Sequence, residues 1–309
     1  MPLLINGVML EDVPPDTRTL FEAYPHFKEV TAALIAQVPK VIGPVGLLYV
    51  HQREYAVTSP HDKNITVLGT DDTTTCIMVI LKHTGSGAVA LGNFDGCGME
   101  QGVANMIRRV QEFSMNTPDG RLELHLVGGF LDSRGYSEDL AVRLIYTFNK
   151  QPVSIHLVTA CITELNNSLR GNINWPVIYG IGVNVKSGEI FPATFPDKGP
   201  DVPLRSTRYF TSCYDMLDVY DYNLGLLRIG PFNYEPMRGV DLWLSQSDEF
   251  ILQHLSTSPE VQPPHFVLQV RATLKFIQQN PFPGVTVFPD NRPHFFRKDE
   301  SGAWVQVCY

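Results

Sequence analysis

The 309-residue sequence has no long hydrophobic run, no cluster of basic residues and no closely spaced cysteines. No stretch reaches the roughly 18 apolar residues that a membrane-spanning helix needs. The first residues lack the basic region that begins a signal peptide. The net charge is −8, which argues against nucleic-acid phosphates as partners. We therefore expect a protein of the cytosol or nucleus that binds neither membranes nor nucleic acids.

The cysteines are few and scattered, and their number is odd: Cys76, Cys97, Cys161, Cys213 and Cys308. A structural zinc site needs close pairs of ligands, and a disulfide framework is typical of short secreted chains. The simplest interpretation is a set of free thiols in a reducing compartment. We predict no metal site and no cofactor.

The composition is that of a globular protein, with 44% apolar and 18% charged residues. Strand and helix patterns alternate in the middle of the chain, but adjoining hairpins favour a mixed or antiparallel sheet, and hence an α+β fold. A helical pattern over 14–40 should be interrupted at Pro25, and Ser137 is a candidate N-cap. We predict a single domain over 1–309, with a polar loop at 166–172, a proline-rich loop or internal linker at 191–205, and a loop-rich C-terminal tail.

A β-hairpin is predicted around Cys76. Five apolar residues follow this cysteine, the segment His83–Gly87 forms a turn, and a second apolar run returns to Asn93. With a loop at His83–Ser86, Lys82 would pair with Gly87. This register sets Cys76 opposite Asn93.

The same register sets Thr74 opposite Asp95. Directly opposed side chains share a sheet face, with Cβ atoms about 5 Å apart. A thiol, a carboxamide and a carboxylate would then lie together at the open end of the hairpin. A slip of one residue would separate them onto opposite faces.

These residues suit acyl transfer from an amide. A thiol attacks as its thiolate and needs a basic partner or N–H dipoles to ionise at neutral pH. The small polar residues Asp71–Thr75 offer N–H groups and hydroxyls for an oxyanion. Each residue also has a purely structural interpretation: Cys76 as a buried apolar side chain, Asn93 as a group that satisfies a strand end, and Asp95-Gly96 as a turn.

Ordered motifs over nearly the whole chain resemble the N-terminal asparagine amidohydrolase family. They are Gly43-Pro44, Gly46-Leu47-Leu48-Tyr49-Val50, Thr58-Ser59-Pro60, Asp71-Asp72 with Thr74-Thr75-Cys76, His83-Thr84-Gly85, His125-Leu126-Val127-Gly128-Gly129-Phe130, Thr163-Glu164-Leu165-Asn166, Pro176-Val177-Ile178-Tyr179-Gly180-Ile181, Leu227-Arg228-Ile229-Gly230-Pro231 and Leu255-Ser256-Thr257-Ser258-Pro259. The resemblance implies a layered α-β-β sandwich, as in the chemoreceptor glutamine deamidases and the cytotoxic necrotizing factor toxins. It also implies deamidation of N-terminal asparagine to aspartate in protein or peptide substrates, with release of ammonia, as a step of the N-degron pathway.

The resemblance further implies a nucleophile at Cys76, a histidine seventeen residues later and, by analogy with the chemoreceptor deamidases, a threonine at Thr70. The histidine position is 93, and it holds asparagine. A carboxamide cannot accept the thiol proton at neutral pH or return it to ammonia. We therefore expect impaired catalysis in a preserved pocket, and the alternative function is a non-catalytic reader of N-terminal Asn or Asp.

Three explanations for Asn93 compete. The chain is an engineered inactive variant, a natural pseudoenzyme, or an enzyme in which another histidine replaces the missing base. The first is favoured because the other motifs are intact. The replacement candidates are His83, His125 and His156.

The remaining site expectations concern the substrate. Backbone N–H groups at Thr74, Thr75 and Cys76 would hold the oxyanion. The free α-ammonium group needs a carboxylate, and the resemblance suggests that Pro2, first in the chain once Met1 is removed, packs near the site. The candidate carboxylates are Asp71, Asp72, Asp95 and Glu164.

Overall fold

The computed structural model describes residues 3–117 and 119–308. It has an α+β fold, as predicted. Its α-helices are α1 (Thr17–Ala23), α2 (His26–Ile35), α3 (Met99–Ser114), α4 (Tyr136–Asn149), α5 (Val202–Phe210), α6 (Val240–Leu244), α7 (Asp248–Leu255), α8 (Phe266–Gln279) and α9 (Pro283–Thr286). Its strands are β1 (Leu4–Ile5), β2 (Val8–Met9), β3 (Lys40–Val41), β4 (Leu47–Tyr49), β5 (Glu54–Thr58), β6 (Val67–Thr70), β7 (Ile77–His83), β8 (Val89–Phe94), β9 (Leu122–Gly128), β10 (Ile155–Ile162), β11 (Asn167–Arg170), β12 (Ile173–Pro176), β13 (Ile181–Asn184), β14 (Ile190–Thr194), β15 (Leu217–Asp218), β16 (Tyr220–Asp221), β17 (Leu226–Ile229), β18 (His294–Lys298) and β19 (Trp304–Val307).

An eight-stranded mixed sheet forms the centre of the molecule, in the order β15-β5-β8-β7-β9-β10-β1-β2. Strand β7 is antiparallel to both β8 and β9, whereas β9 and β10 are parallel. Successive side chains of a strand point to opposite faces, and β7 is apolar on both. Ile77 and Val79 pack in the core beneath the helices α1–α4, and Met78 and Ile80 pack in a second core on the other face.

The second core lies against a five-stranded sheet, in the order β3-β14-β13-β6-β4. Leu68 of β6 and Val183 of β13 meet Met78 and Leu91 of the large sheet in this core. A helix layer and two sheets therefore stack in sequence. We call the space between the two sheets the inter-sheet layer.

The C-terminal third adds a four-stranded sheet, β16-β17-β18-β19, and the helices α5–α9. Helix α5 is fixed to the sheets by Arg205, whose guanidinium donates to Glu54 (2.6 and 3.1 Å) and to the carbonyl of Tyr49 (2.8 Å). Arg205 and Glu54 are both buried. A buried ion pair of this kind holds its elements in one arrangement because separating the charges leaves one of them unpaired.

Several predicted elements are confirmed and others are wrong. The break at Pro25 is confirmed, since α1 ends at Ala23 and Pro25 caps α2. The polar segment 166–172 is not a loop, because Asn167–Arg170 pairs with Ile173–Pro176 as a hairpin. Ser137 does not cap α4. Gly135 holds that position, and the Ser137 hydroxyl donates instead to the carbonyl of Thr75 (3.2 Å).

The predicted loop at 191–205 and the loop-rich tail are also wrong in part. Segment 191–205 contains most of β14 and the start of α5. The tail contains β18 and β19, which extend the C-terminal sheet. Within the described residues, no helix is both long and apolar enough to cross a lipid bilayer.

Candidate active site

The hairpin β7–β8 is present, but its predicted register is wrong by two residues. Asn93 pairs with Met78, not with Cys76, and Lys82 pairs with Val89, not with Gly87. Asp95 lies beyond the ladder, as does Thr74. The hairpin loop is later than predicted because His83 remains in β7.

Contacts of His83 explain the later turn. Its N–H donates to the carbonyl of Ala88 (2.9 Å), and its Nδ1 accepts from the N–H of Ser86 (3.0 Å). Gly87 adopts a left-handed φ of 73°, which glycine permits at little steric cost. A shift of two residues preserves the face of every side chain. Cys76 and Asn93 therefore still share the face that looks onto the inter-sheet layer.

A cleft of about 500 Å³ opens at that end of the layer. Its floor is the segment 71–76 with the end of β8, and its opposite wall comes from α5 and α8. Seven predicted site residues line it: Asp71, Asp72, Thr74, Thr75, Cys76, Asn93 and Asp95.

The environment of Cys76 keeps its thiol protonated. Burial raises the pKa of Cys76 most, and the negative charge of Asp95 raises it further. The cation of Arg53 opposes both effects but does not overcome them. A thiol in this setting needs a base to become a nucleophile at neutral pH.

Asn93 is joined to Thr70 of the facing sheet. The carboxamide Nδ2 donates to Thr70 Oγ1 (2.9 Å), and both side chains are buried. Thr70 itself is not part of the cleft wall and lies behind Asn93. The structure thus brings together all three positions at which the resemblance implies a catalytic group.

The segment that precedes Cys76 is held by hydrogen bonds from distant parts of the chain. Thr74 Oγ1 accepts from Ser258 Oγ (2.7 Å), and the hydroxyls of Thr75 and Thr257 are 2.8 Å apart. Thr73 is fixed to the carbonyl of Tyr179 by its N–H and its hydroxyl (both 3.0 Å). None of these contacts uses the N–H groups of Thr74 and Thr75, which have no hydrogen-bond acceptor among the described residues.

Asp71 is saturated by protein donors. Its carboxylate accepts from the hydroxyl of Tyr49 (2.6 Å) and the N–H of Phe195 (2.7 Å), and the Lys198 ammonium also contacts it. Burial raises the pKa of Asp71 most, and the neighbouring charge of Asp72 raises it further. Asp71 therefore holds the floor of the cleft together.

Asp72 is more open. It accepts from His265 Nε2 (2.6 Å), and Lys198 Nζ lies 3.3 Å away. Its φ is +56°, a conformation that costs free energy for a residue other than glycine and often occurs at functional sites. His265 immediately precedes α8, so this contact joins the two sides of the cleft.

Asp95 is paired with Arg53. Arg53 Nε and Gln52 Nε2 each donate to Asp95 Oδ2 (2.7 Å), and the N–H of Cys97 donates to Oδ1 (2.9 Å). The Arg53 guanidinium lies 5.7 Å from the ring centre of Tyr209, which also lines the cleft. Burial raises the pKa of Tyr209 to about 12, so its hydroxyl keeps its proton at neutral pH.

Two predicted site residues that the structure describes, Thr70 and Glu164, do not line the cleft. Glu164 lies in a short 3-10 helix after β10, in a separate depression with Arg18, whose Nε is 3.7 Å from its carboxylate. The segment around it packs on the helix side of the large sheet through Leu165. Glu164 is therefore separate from this cleft, and its role in binding the α-ammonium group stays a prediction. Pro2 lies outside the described residues.

The three histidines considered as replacement bases also lie outside the cleft wall. His83 binds Ser86, His125 Nδ1 lies 2.8 Å from the hydroxyl of Thr159, and His156 is near Arg121. Two histidines that the sequence did not indicate do line the cleft, His51 and His265. Burial lowers the pKa of His51 to about 3, so it is a weak base.

Sequence comparisons relate the chain to known proteins. The family model for protein N-terminal asparagine amidohydrolase matches residues 37–306. The chain belongs to this family. It is 45% identical to the pig protein of that name and 44% identical to the human one, each over 307 residues that cover 99% of this chain and 98% of the relative. The Arabidopsis thaliana protein of that name is 30% identical over 83% of this chain and 80% of its own length. The chain is thus a member of an amidohydrolase family.

Proposed function

We propose that the chain has the site of a cysteine amidase that converts N-terminal asparagine to aspartate, and that Asn93 impairs its catalysis. One observation carries the proposal: Cys76 and position 93 lie on one sheet face and line one cleft, with Thr70 bonded behind position 93. The names of the relatives supply the substrate class. The layering of helices and two sheets is consistent with the α-β-β sandwich of the deamidase group.

The mechanism of such an amidase follows from these positions. A histidine at position 93 takes the proton from Cys76 Sγ, which attacks the carbon of the substrate carboxamide. The free N–H groups at Thr74 and Thr75 stabilise the oxyanion. The histidine then gives its proton to the departing ammonia, and water hydrolyses the remaining thioester to release aspartate and the thiol.

In this chain the first step lacks its proton acceptor. The pKa of Cys76 is raised by burial and by Asp95, and the Asn93 carboxamide is not basic. Neither the neutral thiol nor the carboxamide can complete the proton transfers. Loss of a general base of this kind costs on the order of 10²–10⁴ in rate.

Asp72 is the carboxylate that we expect to bind the α-ammonium group of the substrate. Its side chain is 25% exposed, against 5% for Asp71 and 10% for Asp95. The other two are occupied by protein donors. A substrate ammonium at Asp72 would share the carboxylate with His265 and Lys198.

Ammonia release from a peptide that begins with asparagine tests the proposal. We expect Asn93→His to release ammonia at least a hundredfold faster than the unchanged chain. Equal and negligible rates in the two proteins would remove the proposed role of position 93.

A non-catalytic reader of N-terminal Asn or Asp is the second candidate function. The joined residues Thr70 and Asn93 favour it, because they keep the pocket ordered without a base. This function predicts peptide binding that survives Cys76→Ala and no gain of activity in Asn93→His. We place either activity in the cytosol or nucleus, as a step of the N-degron pathway.

A further inference from the structure

One acceptor atom in the wall of the cleft has no partner. Asn93 is 4% exposed, and its Oδ1 is buried without a hydrogen bond to any described residue. Buried polar atoms in native proteins are nearly always paired, and an unpaired one costs free energy. This atom lies beside the position at which the proposed reaction would take place.

The other end of the carboxamide is paired with the facing sheet. Nδ2 donates to Thr70 Oγ1 (2.9 Å), and Thr70 lies behind Asn93, away from the cleft wall. The oxygen and nitrogen of a planar carboxamide point in different directions. With the nitrogen bonded to the facing sheet, the oxygen is the end of the carboxamide that lacks a partner among the described residues.

We propose that Asn93 makes the cleft selective for N-terminal asparagine over N-terminal aspartate. This inference rests on the proposed function, because it assumes that an N-terminal residue enters the cleft. The side chain of asparagine carries N–H donors that Oδ1 can accept, whereas ionised aspartate carries only acceptors. Two acceptors placed together repel each other and leave Oδ1 unpaired.

Selectivity for N-terminal asparagine would distinguish this chain from a protein that binds N-terminal asparagine and aspartate equally. A site built to bind an N–H group rejects an analogue that lacks it, because the buried group of the site then stays unpaired. A histidine at position 93 would behave differently, since its ring carries an N–H that can donate to a carboxylate in either protonation state. The chain would hold the unprocessed residue and release the deamidated one.

Calorimetric titration of three peptides tests the inference. The peptides are identical except for their first residue, which is asparagine, aspartate or the β-methyl ester of aspartate. The unchanged chain and Cys76→Ser, which excludes turnover, are titrated at pH 7. We expect the asparagine peptide to bind about tenfold to a hundredfold more tightly than either of the others.

The methyl ester separates donor recognition from charge. It is neutral but has no N–H donor, so it binds weakly if Oδ1 selects for donors. Binding of the ester as tightly as the asparagine peptide would show that charge alone is excluded, and would overturn the inference. Tighter binding of aspartate would overturn it as well, because Nδ2 would then face the ligand.

Two variants complete the experiment. Asn93→Leu removes the acceptor at similar size and should bring the three affinities within about threefold of each other. Asn105→Leu, on the helix surface of α3 outside the cleft, should leave the selectivity unchanged. Binding of none of the peptides would remove the proposed function together with this inference, whereas equal binding of all three by the unchanged chain would remove the inference alone.

Discussion

The two ends of the inter-sheet layer both contain buried polar groups, but among the described residues those of one end line the cleft and those of the other do not. At the open end, Cys76 and Asn93 line a cavity of about 500 Å³. At the other end, His125 is opposite Ile80 in the sheet, and the Lys82 ammonium donates to the carbonyl of Gly188 (2.7 Å). His125 Nε2 is buried without a partner among the described residues.

The difference shows that access decides whether such a group can take part in chemistry. Burial, reinforced by the positive charge of Lys82, lowers the pKa of His125 to about 3. This histidine stays neutral and cannot reach a substrate in the cleft. Under the proposed mechanism, Asn93 lies where a base is needed, whereas His125 is an imidazole that does not line the cleft.

The largest expected effect is a difference in ammonia release between variants of two cysteines of the inter-sheet layer. In the Asn93→His background, Cys76→Ala should abolish the restored ammonia release, a loss on the order of 10²–10⁴. Cys161→Ala removes a thiol that is buried in β10 within the same layer but away from the cleft, so the rate should stay within about threefold. A comparable loss in both variants would refute the assignment of the nucleophile.

A second prediction compares how much charged side chains at the two ends of the inter-sheet layer contribute to the stability of the protein. Arg53→Met leaves the Asp95 carboxylate without its ion pair in a mostly buried setting, and should lower the free energy of unfolding by about 3–5 kcal/mol. Lys82→Met at the other end removes one hydrogen bond and should cost about 1 kcal/mol. Urea denaturation measures both. Equal losses would mean that the cleft end is no more dependent on its charges than the other end.

A third prediction concerns the loop before the nucleophile. In the Asn93→His background, Ser258→Ala removes the bond to Thr74 and should lower kcat about tenfold with little change in KM. Ser258→Thr keeps a hydroxyl and should recover most of the rate. Ser245→Ala is the control, because its exposed hydroxyl bonds only within its own helix region. An equal rise in KM would instead indicate a role in substrate binding.

The effect that is smallest near neutral pH is a pH dependence of stability at the end of the inter-sheet layer that contains His125. The pKa of His125 is about 3 in the folded protein and near 6.5 in the unfolded chain. Between pH 3 and pH 6.5 the unfolded state therefore binds more protons than the folded state. Stability is therefore lost as the pH falls below about 6.5, by at most about 1.4 kcal/mol per pH unit. His125→Gln should reduce this slope and leave the ammonia release of Asn93→His at pH 7 unchanged. An unchanged slope would show that His125 is protonated in the folded protein.

The sequence was sufficient to predict the hairpin and the face shared by Cys76 and Asn93. Both depend on apolar runs and on the two-residue period of a strand, which are local properties. The register was not predictable, because the position of the turn depends on a side-chain bond from His83 to Ser86. The error was two residues, so it left the faces unchanged.

The far wall of the cleft was not predicted at all. Ser258 and His265 reach residues 74 and 72 from more than 180 positions away, and no periodic pattern encodes such contacts. The proline-rich composition of 191–205 concealed a strand and the start of α5. For Glu164, the motif was intact in sequence, but the topology placed it on the helix side of the large sheet.

The most direct test of the central claim is the rate at which iodoacetamide alkylates Cys76, measured by peptide mass spectrometry from pH 6 to pH 10. Cys76 of the unchanged chain should react more slowly at pH 7 than the exposed Cys308, because the raised pKa of Cys76 keeps its thiol protonated. Asn93→His should accelerate the reaction of Cys76 at pH 7 at least about tenfold. Rapid alkylation of Cys76 in the unchanged chain, with no increase in Asn93→His, would contradict the claim that the missing base at position 93 limits this protein.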